Sequence, residues 1–391
     1  MRPIHIVYVT AGNGHRMAAK ALQKSFDGQR VPNVIMDLLD FSSDLFKWSY
    51  SDVYAFVSEH SHLACRIMYD LTNKDREESV VLRLYEKISL ENVKKFMRYI
   101  SENEPGKCIC THFFPLSVLS RMKAEGMFAG EIYSVITDFG LHKMWVNEYV
   151  DRYFIPSDRV RRGLIESGVP EEKIVMSGIP VLPKFARLAG KKRTFAPPLS
   201  LLFVTSSIAN ALALDILAGI FRTGLPLDVT VVTGRNTDLL IDLEKVSAPP
   251  NITLKILGFV DNLDELMEEA SILITKPGGL TVSEALCAAV PMILVNPIPK
   301  QETNNTAYLH EKGAGILART ASDVEGLLLA FAADLPLLSA MEKAARSIAF
   351  PLAAADVAAS VLEGSLFDDS PLSPMTLPVP GEIYDADPET V

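Results

Sequence analysis

Ile274-Thr275-Lys276-Pro277-Gly278-Gly279-Leu280-Thr281-Val282-Ser283-Glu284-Ala285-Leu286 reads as an apolar strand, a Gly-Gly turn, and a helix whose first turns carry a hydroxyl and a carboxylate. The first N–H groups of a helix lack an intrahelical acceptor and the dipole is positive there, so such a junction is a ready phosphate site. Glu284 follows about one turn in, at the reach from which a carboxylate takes both hydroxyls of a ribose held at the same helix end. The segment predicts a nucleotide-diphosphate site. Taken alone, it reads equally well as a turn with Thr281 as an ordinary helix cap.

Its surroundings favour the site. Asn296-Pro297-Ile298-Pro299-Lys300-Gln301-Glu302-Thr303-Asn304-Asn305 follows the next apolar strand, 291–295, and again precedes a helix. Further out, β-branched runs at 200–205, 228–233, 252–257 and 271–275 alternate with helical stretches. An earlier series at 4–10, 107–111, 132–137 and 152–155 does the same, with helices at 16–26 and 159–167. The alternation predicts an α/β chain with two doubly wound, Rossmann-like domains facing a cleft, ligands lying at the carboxyl ends of the strands. The domains are expected at 1–185 and 200–350, joined by a linker over 186–199 that holds Gly190-Lys191-Lys192-Arg193 and Pro197-Pro198. Residues 366–391 carry no Lys or Arg and predict a disordered acidic tail, in which Asp385-Ala386-Asp387 is not expected to hold a metal.

A chain of 391 residues with 48% hydrophobic content suits two packed cores and excludes a disordered protein. Residues 1–190 hold 25 Lys+Arg against 23 Asp+Glu, and residues 191–391 hold 13 against 25, giving +2 and −12. Without a basic, aromatic-rich stretch, nucleic acid is not an expected partner. The opening Arg2 to Thr10 reads as a strand and not as a signal peptide, and no segment is apolar enough to span a bilayer. Cys65, Cys108, Cys110 and Cys287 match neither a disulfide framework nor a zinc pattern, which suggests reduced thiols in a cytoplasm.

Thr10-Ala11-Gly12-Asn13-Gly14-His15-Arg16 joins a strand to a helix, but Met17 stands where a dinucleotide fingerprint needs its third glycine. What remains is a histidine beside Gly12 and Gly14, able to take a proton from a hydroxyl near neutral pH. Asp138, in Ser134-Val135-Ile136-Thr137-Asp138-Phe139-Gly140-Leu141-His142-Lys143-Met144-Trp145, and His112, in Thr111-His112-Phe113-Phe114-Pro115, also end strands of the first series. Three polar groups at three strand ends are hard to ascribe to packing. An insert over 41–104 is rich in aromatics (Phe41, Phe46, Trp48, Tyr50, Tyr54, Phe56, Tyr69, Tyr85, Phe96 and Tyr99), with Lys47, Arg66, Lys74, Arg76 and Arg83 among them. That composition suits either a helical core or a bilayer headgroup region.

Together these motifs resemble the processive diacylglycerol glycosyltransferase and monogalactosyldiacylglycerol synthase family, related to the MurG-type transferases, over residues 4 to 362. The resemblance implies the GT-B architecture, with an acceptor domain first, a UDP-sugar domain second, and a last helix (351–365) crossing back. It implies His15 as general base, and Asp138 as either orienting that base or acting as one, with Gly12, Gly14 and His112 in the acceptor cleft. On the donor side it implies roles for Gly234, Arg235 and Asn236, for a uracil loop at Gly258, Phe259 and Val260, and for diphosphate contacts from Lys276, Gly278, Gly279 and Thr281. Glu284 would take the ribose, and Gln301, Glu302 and Asn304 the sugar hydroxyls. Tyr69-Asp70-Leu71-Thr72-Asn73-Lys74 draws the insert toward lipid-acceptor and membrane docking.

The implied activity is inverting hexose transfer from UDP-glucose or UDP-galactose to diacylglycerol or a glycolipid, with no metal and no cofactor, on an anionic membrane at its cytoplasmic face. Fixed dipoles at a helix end can stabilise the departing diphosphate without a metal. One departure stands out: relatives carry a Gly-Gly-rich loop after 201–204, whereas this chain reads Thr205-Ser206-Ser207-Ile208-Ala209-Asn210. Ser206 and Ser207 would have to supply hydroxyl donors in its place. The alternatives are the same fold acting on another lipid-linked acceptor, or a non-catalytic protein that binds a nucleotide sugar or a membrane.

Overall fold

Runs such as Ile4–Tyr8, Leu199–Val204, Ile272–Thr275 and Met292–Val295 are apolar at nearly every position, the mark of strands covered on both faces. A computed structural model describes residues 2–10, 12–50, 62–73 and 91–363. The first sheet has the order β2-β1-β3-β4-β5-β6, with β1 Ile4–Tyr8, β2 Asn33–Asp37, β3 Lys107–Cys110, β4 Glu131–Val135, β5 Arg152–Ile155 and β6 Ile174–Met176. The second has the order β12-β11-β10-β7-β8-β9, with β7 Leu199–Val204, β8 Leu227–Val232, β9 Ile252–Leu257, β10 Ile272–Thr275, β11 Met292–Val295 and β12 Gly315–Ala318. Neighbouring strands run parallel in both. Strand order reverses beside β1 and beside β7, where ligands of such sheets bind.

The strand runs read from the sequence miss β2, β6 and β12. β2 and β12 are edge strands only partly buried, β6 is three residues long, and β12 opens on a glycine. The residues just ahead of the expected linker pack where the two domains meet. Ile179, Val181, Phe185 and Leu188 sit in a core cluster with Leu202, Leu273 and Leu286 of the second domain, joined there by Ala18 and Phe139 of the first. The stretch 186–199 is pinned: the Arg193 guanidinium donates to the carbonyls of Met267 (2.6 Å) and Ala288 (2.7 Å). The helix Ala353–Glu363 lies on the first domain, with Val357, Ala358 and Val361 against Leu22 and Phe26, and Arg152 donates to Ser360 Oγ at 2.8 Å.

Much of the described insert is core. Phe96 is buried, and Phe41, Phe46, Tyr50 and Tyr99 pack partly buried on the first domain, Tyr50 stacking on Phe114 at 5.4 Å. Leu45 (74% exposed), Trp48 (56%) and Ile67 (51%) face outward instead. Tyr54, Phe56, Lys74, Arg76, Arg83, Tyr85 and the tail 366–391 lie outside the described residues. No single described helix is long and apolar enough to cross a membrane.

Candidate active site

β1 ends in the loop at Gly12, whose φ of +81° is open to glycine at little cost, and the chain then enters the helix Gly14–Gly28. This sets His15 in the first turn, over the ends of β3 and β4. Its Nδ1 lies 2.7 Å from the Thr111 carbonyl oxygen and 3.0 Å from Thr137 Oγ1. A carbonyl only accepts, so Nδ1 carries the proton and Nε2 keeps the lone pair. His112 caps the helix Phe113–Ala124, its Nδ1 accepting from Phe114 N at 3.0 Å, and meets the His15 ring edge-on at 4.6 Å. Burial, and then His15, hold His112 well below the ordinary histidine range, so it stays neutral. Burial also lowers the His15 pKa and raises that of Asp138, each opposed by the attraction between the two.

Asp138 is held from the other domain. Gln301 Nε2 donates to its Oδ2 at 3.0 Å and Asn305 Nδ2 to its Oδ1 at 3.5 Å. Asn305, fully buried, also accepts from Phe139 N (2.9 Å) and donates to the Pro277 carbonyl (3.0 Å). It is a cross-domain latch that the sequence reading passed over in favour of Asn304. Thr111 and Thr137, which orient His15, were also missed as site residues.

The glycines of the opening segment divide. A Cβ on Gly279 would lie 2.0 Å from the Thr137 carbonyl oxygen, so this glycine is where the two domains touch. On Gly278 the nearest neighbour would be Glu302 Oε1 at 3.9 Å. Helix Gly279–Cys287 starts there, and its first N–H groups, through Thr281, have no intrahelical acceptor. Lys276 Nζ stands 3.5 Å from Glu302 Oε2, which also accepts from Ile298 N at 2.7 Å. Burial raises the Glu302 pKa and Lys276 opposes it. Glu284 is buried, its side chain makes no hydrogen bond to a described residue, and its pKa is pushed up to about 8 by burial, with Lys184 countering.

At the rim, Arg235 lies over the Phe259 ring at 5.6 Å. Asn236 caps the helix Thr237–Glu244 through Leu239 N (3.0 Å) and donates to Asn210 Oδ1 (2.8 Å), so its side chain braces two loops. A Cβ on Gly234 would stand 3.5 Å from Ser206 Oγ, and one on Gly258 3.5 Å from Leu240. Val260 packs partly buried on the second core. Ser207 has φ +57°, so the loop keeps a conformation that favours glycine although no glycine is present.

A basic imidazole on one wall faces a lysine, a carboxyl and a helix N-terminus on the other. Two parallel six-stranded sheets around such a cleft give this protein the GT-B fold. A model described as monogalactosyldiacylglycerol synthase matches residues 15–181, and one for the glycosyltransferase family 28 C-terminal domain matches 203–355. The processive diacylglycerol beta-glucosyltransferase of Bacillus cytotoxicus is 32% identical over 363 residues, covering 90% of this chain and 91% of its own. That of Bacillus mycoides is 31% identical over 360, covering 90% and 91%. The chain belongs to this family of glycolipid glycosyltransferases. Among solved structures, Acinetobacter baumannii MurG aligns with TM-score 0.63 at 17% identity over 93% of this chain and 100% of its own. The calicheamicin glycosyltransferase CalG4 aligns at 0.58 and 14%, over 93% and 100%.

Proposed function

We propose that the protein transfers a hexose from a UDP-sugar to the hydroxyl of diacylglycerol or a glycolipid, by a single inverting displacement without a metal. The acceptor hydroxyl gives its proton to His15 Nε2 as its oxygen bonds to the anomeric carbon, and the bond from that carbon to the diphosphate breaks. Asp138 stabilises the imidazolium that forms. Lys276 and the N–H groups from Gly279 to Thr281 take the charge gathering on UDP, and Glu284 takes the ribose. The observation that carries the reading is the His15 tautomer fixed by Thr111, which leaves one basic nitrogen in the cleft. The names of the relatives support diacylglycerol as acceptor. A relative in fold, S. aureus MnaA, is described with UDP at TM-score 0.60 and supports the donor class.

The same reading has the protein working peripherally on the cytoplasmic face of an anionic membrane, with Leu45, Trp48 and Ile67 as its apolar contacts. The test is UDP release and mass spectrometry of the lipid product, with UDP-glucose or UDP-galactose and diacylglycerol vesicles, in the presence of EDTA. A hexosyl lipid of inverted anomeric configuration is expected. UDP binding with no turnover on any lipid would instead mark a binding protein.

A further inference from the structure

We propose that Asp70, on the insert helix His62–Thr72, is a positioning residue of hexose transfer: its ion pair with Lys300 holds the strained turn that starts the helix Gln301–Lys312, so that the insert straps one domain to the other. This rests on the reading of the cleft given above.

The turn stands out in its backbone. Lys300 has φ +70° and ψ −64°, and Gln301 N donates to the Pro299 carbonyl at 3.0 Å. That is the rarer, strained form of γ-turn, which a residue other than glycine keeps only where its surroundings hold it. What the turn aims comes directly after it. Gln301 Nε2 donates to Asp138 Oδ2 at 3.0 Å, so relaxing Lys300 would turn the helix start and pull this bond away from the partner of His15.

Asp70 reaches the turn from outside the cleft. Its Oδ1 lies 3.7 Å from Lys300 Nζ, and Arg66, one turn back on the same helix, lies 3.9 Å from its Oδ2. The helix is itself fastened to the first domain: Thr72 Oγ1 lies 3.2 Å from His142 Nε2, Asn73 Oδ1 accepts from Lys143 N at 2.9 Å, and the Tyr69 ring meets His142 edge-on at 4.6 Å. His142 and Lys143 stand in the loop that follows Asp138. A ring is thereby closed, with Asp138–Gln301 inside the cleft and Asp70–Lys300 outside it. Both attachments belong to the side that carries His15, which keeps the base and the helix start in one register.

Charge exchange on the full chain tests this. Asp70→Lys, Lys300→Asp and the two changes together would be assayed for transfer from UDP-glucose to diacylglycerol vesicles, and by amide hydrogen exchange over 299–304. Each single change should lower kcat by about 2- to 20-fold, the loss of an exposed ion pair and its replacement by repulsion. KM for UDP-glucose should move little, because Asp138 acts on the imidazolium only as it forms. Exchange at the turn should quicken in each single variant. The exchanged pair restores the attraction and should regain most of both losses. If a reversal prevents folding, Asp70→Asn, which removes the pair without repulsion, should still lower kcat by about 1.5- to 5-fold. Wild-type kcat in Asp70→Lys or Asp70→Asn, an exchanged pair no better than Lys300→Asp, or a loss carried wholly by KM would each overturn the proposal. If the unaltered protein turns over no lipid, the transfer reading fails, and the hydrogen-exchange comparison still decides whether Asp70 holds the turn.

Discussion

Gly278 and Gly279 look interchangeable in the sequence, and the structure predicts opposite kinetics for Gly279→Ala and Gly278→Ala. The new methyl carbon at 279 would stand 2.0 Å from the Thr137 carbonyl oxygen, a backbone atom that cannot swing aside. The domains must part by at least about 1 Å to restore ordinary contact. That carries Gln301–Asp138, now 3.0 Å, and Asn305–Phe139, now 2.9 Å, out of hydrogen-bonding range. Losing one bond to a carboxylate and one to a backbone N–H costs about 2–4 kcal/mol, roughly 30- to 800-fold in kcat if the closed arrangement is the reactive one. The helix does not suffer, because alanine is the better helix former. Gly278→Ala leaves the latch intact and puts its methyl 3.9 Å from Glu302 Oε1, in the donor cleft, so it should raise KM for the UDP-sugar with kcat little changed. Steady-state UDP release with a thermal melt of each variant is the assay. Unchanged kcat in Gly279→Ala, or a pure KM effect in both variants, would refute the reasoning.

Glu284→Gln should lose nucleotide affinity and gain stability with pH. A folded pKa near 8 against an unfolded value near 4.5 means that the wild type loses stability as pH rises through that window, a loss glutamine escapes. Melts at pH 5 and pH 8.5 should therefore separate the two proteins only at the higher pH. Ser207→Gly should be neutral or stabilising by up to about 1 kcal/mol and keep UDP affinity, while Ser207→Val should destabilise by about 1–2 kcal/mol, because φ there is +57°. A stable valine variant in a denaturant titration would contradict this. Replacing Leu45 and Trp48 by serine should weaken binding to anionic vesicles in a sedimentation assay and spare UDP affinity measured without lipid, since both side chains are exposed on the other domain.

The two sheets were legible because strands covered on both faces must be apolar throughout, and the cleft was legible because polar residues cluster where those strands end. His15, Asp138 and Lys276 lie at such strand ends, and the family resemblance is what suggested their roles. Their partners were not legible, since hydrogen bonds such as Gln301–Asp138 and Asn305–Asp138 join positions 163 and 167 apart, and no local pattern records which strand end faces which helix. Asn304 and Asn305 show the limit most sharply. Both are asparagines in the first turns of the helix Gln301–Lys312, yet one is fully buried as a latch and its neighbour packs against Gly140. Adjacent helical positions point about 100° apart, so identity cannot assign their roles until the opposite wall is placed. The same holds for the glycines: a sequence shows that backbone must come close at 278–279, and only the folded chain shows that at Gly279 the visitor is the other domain.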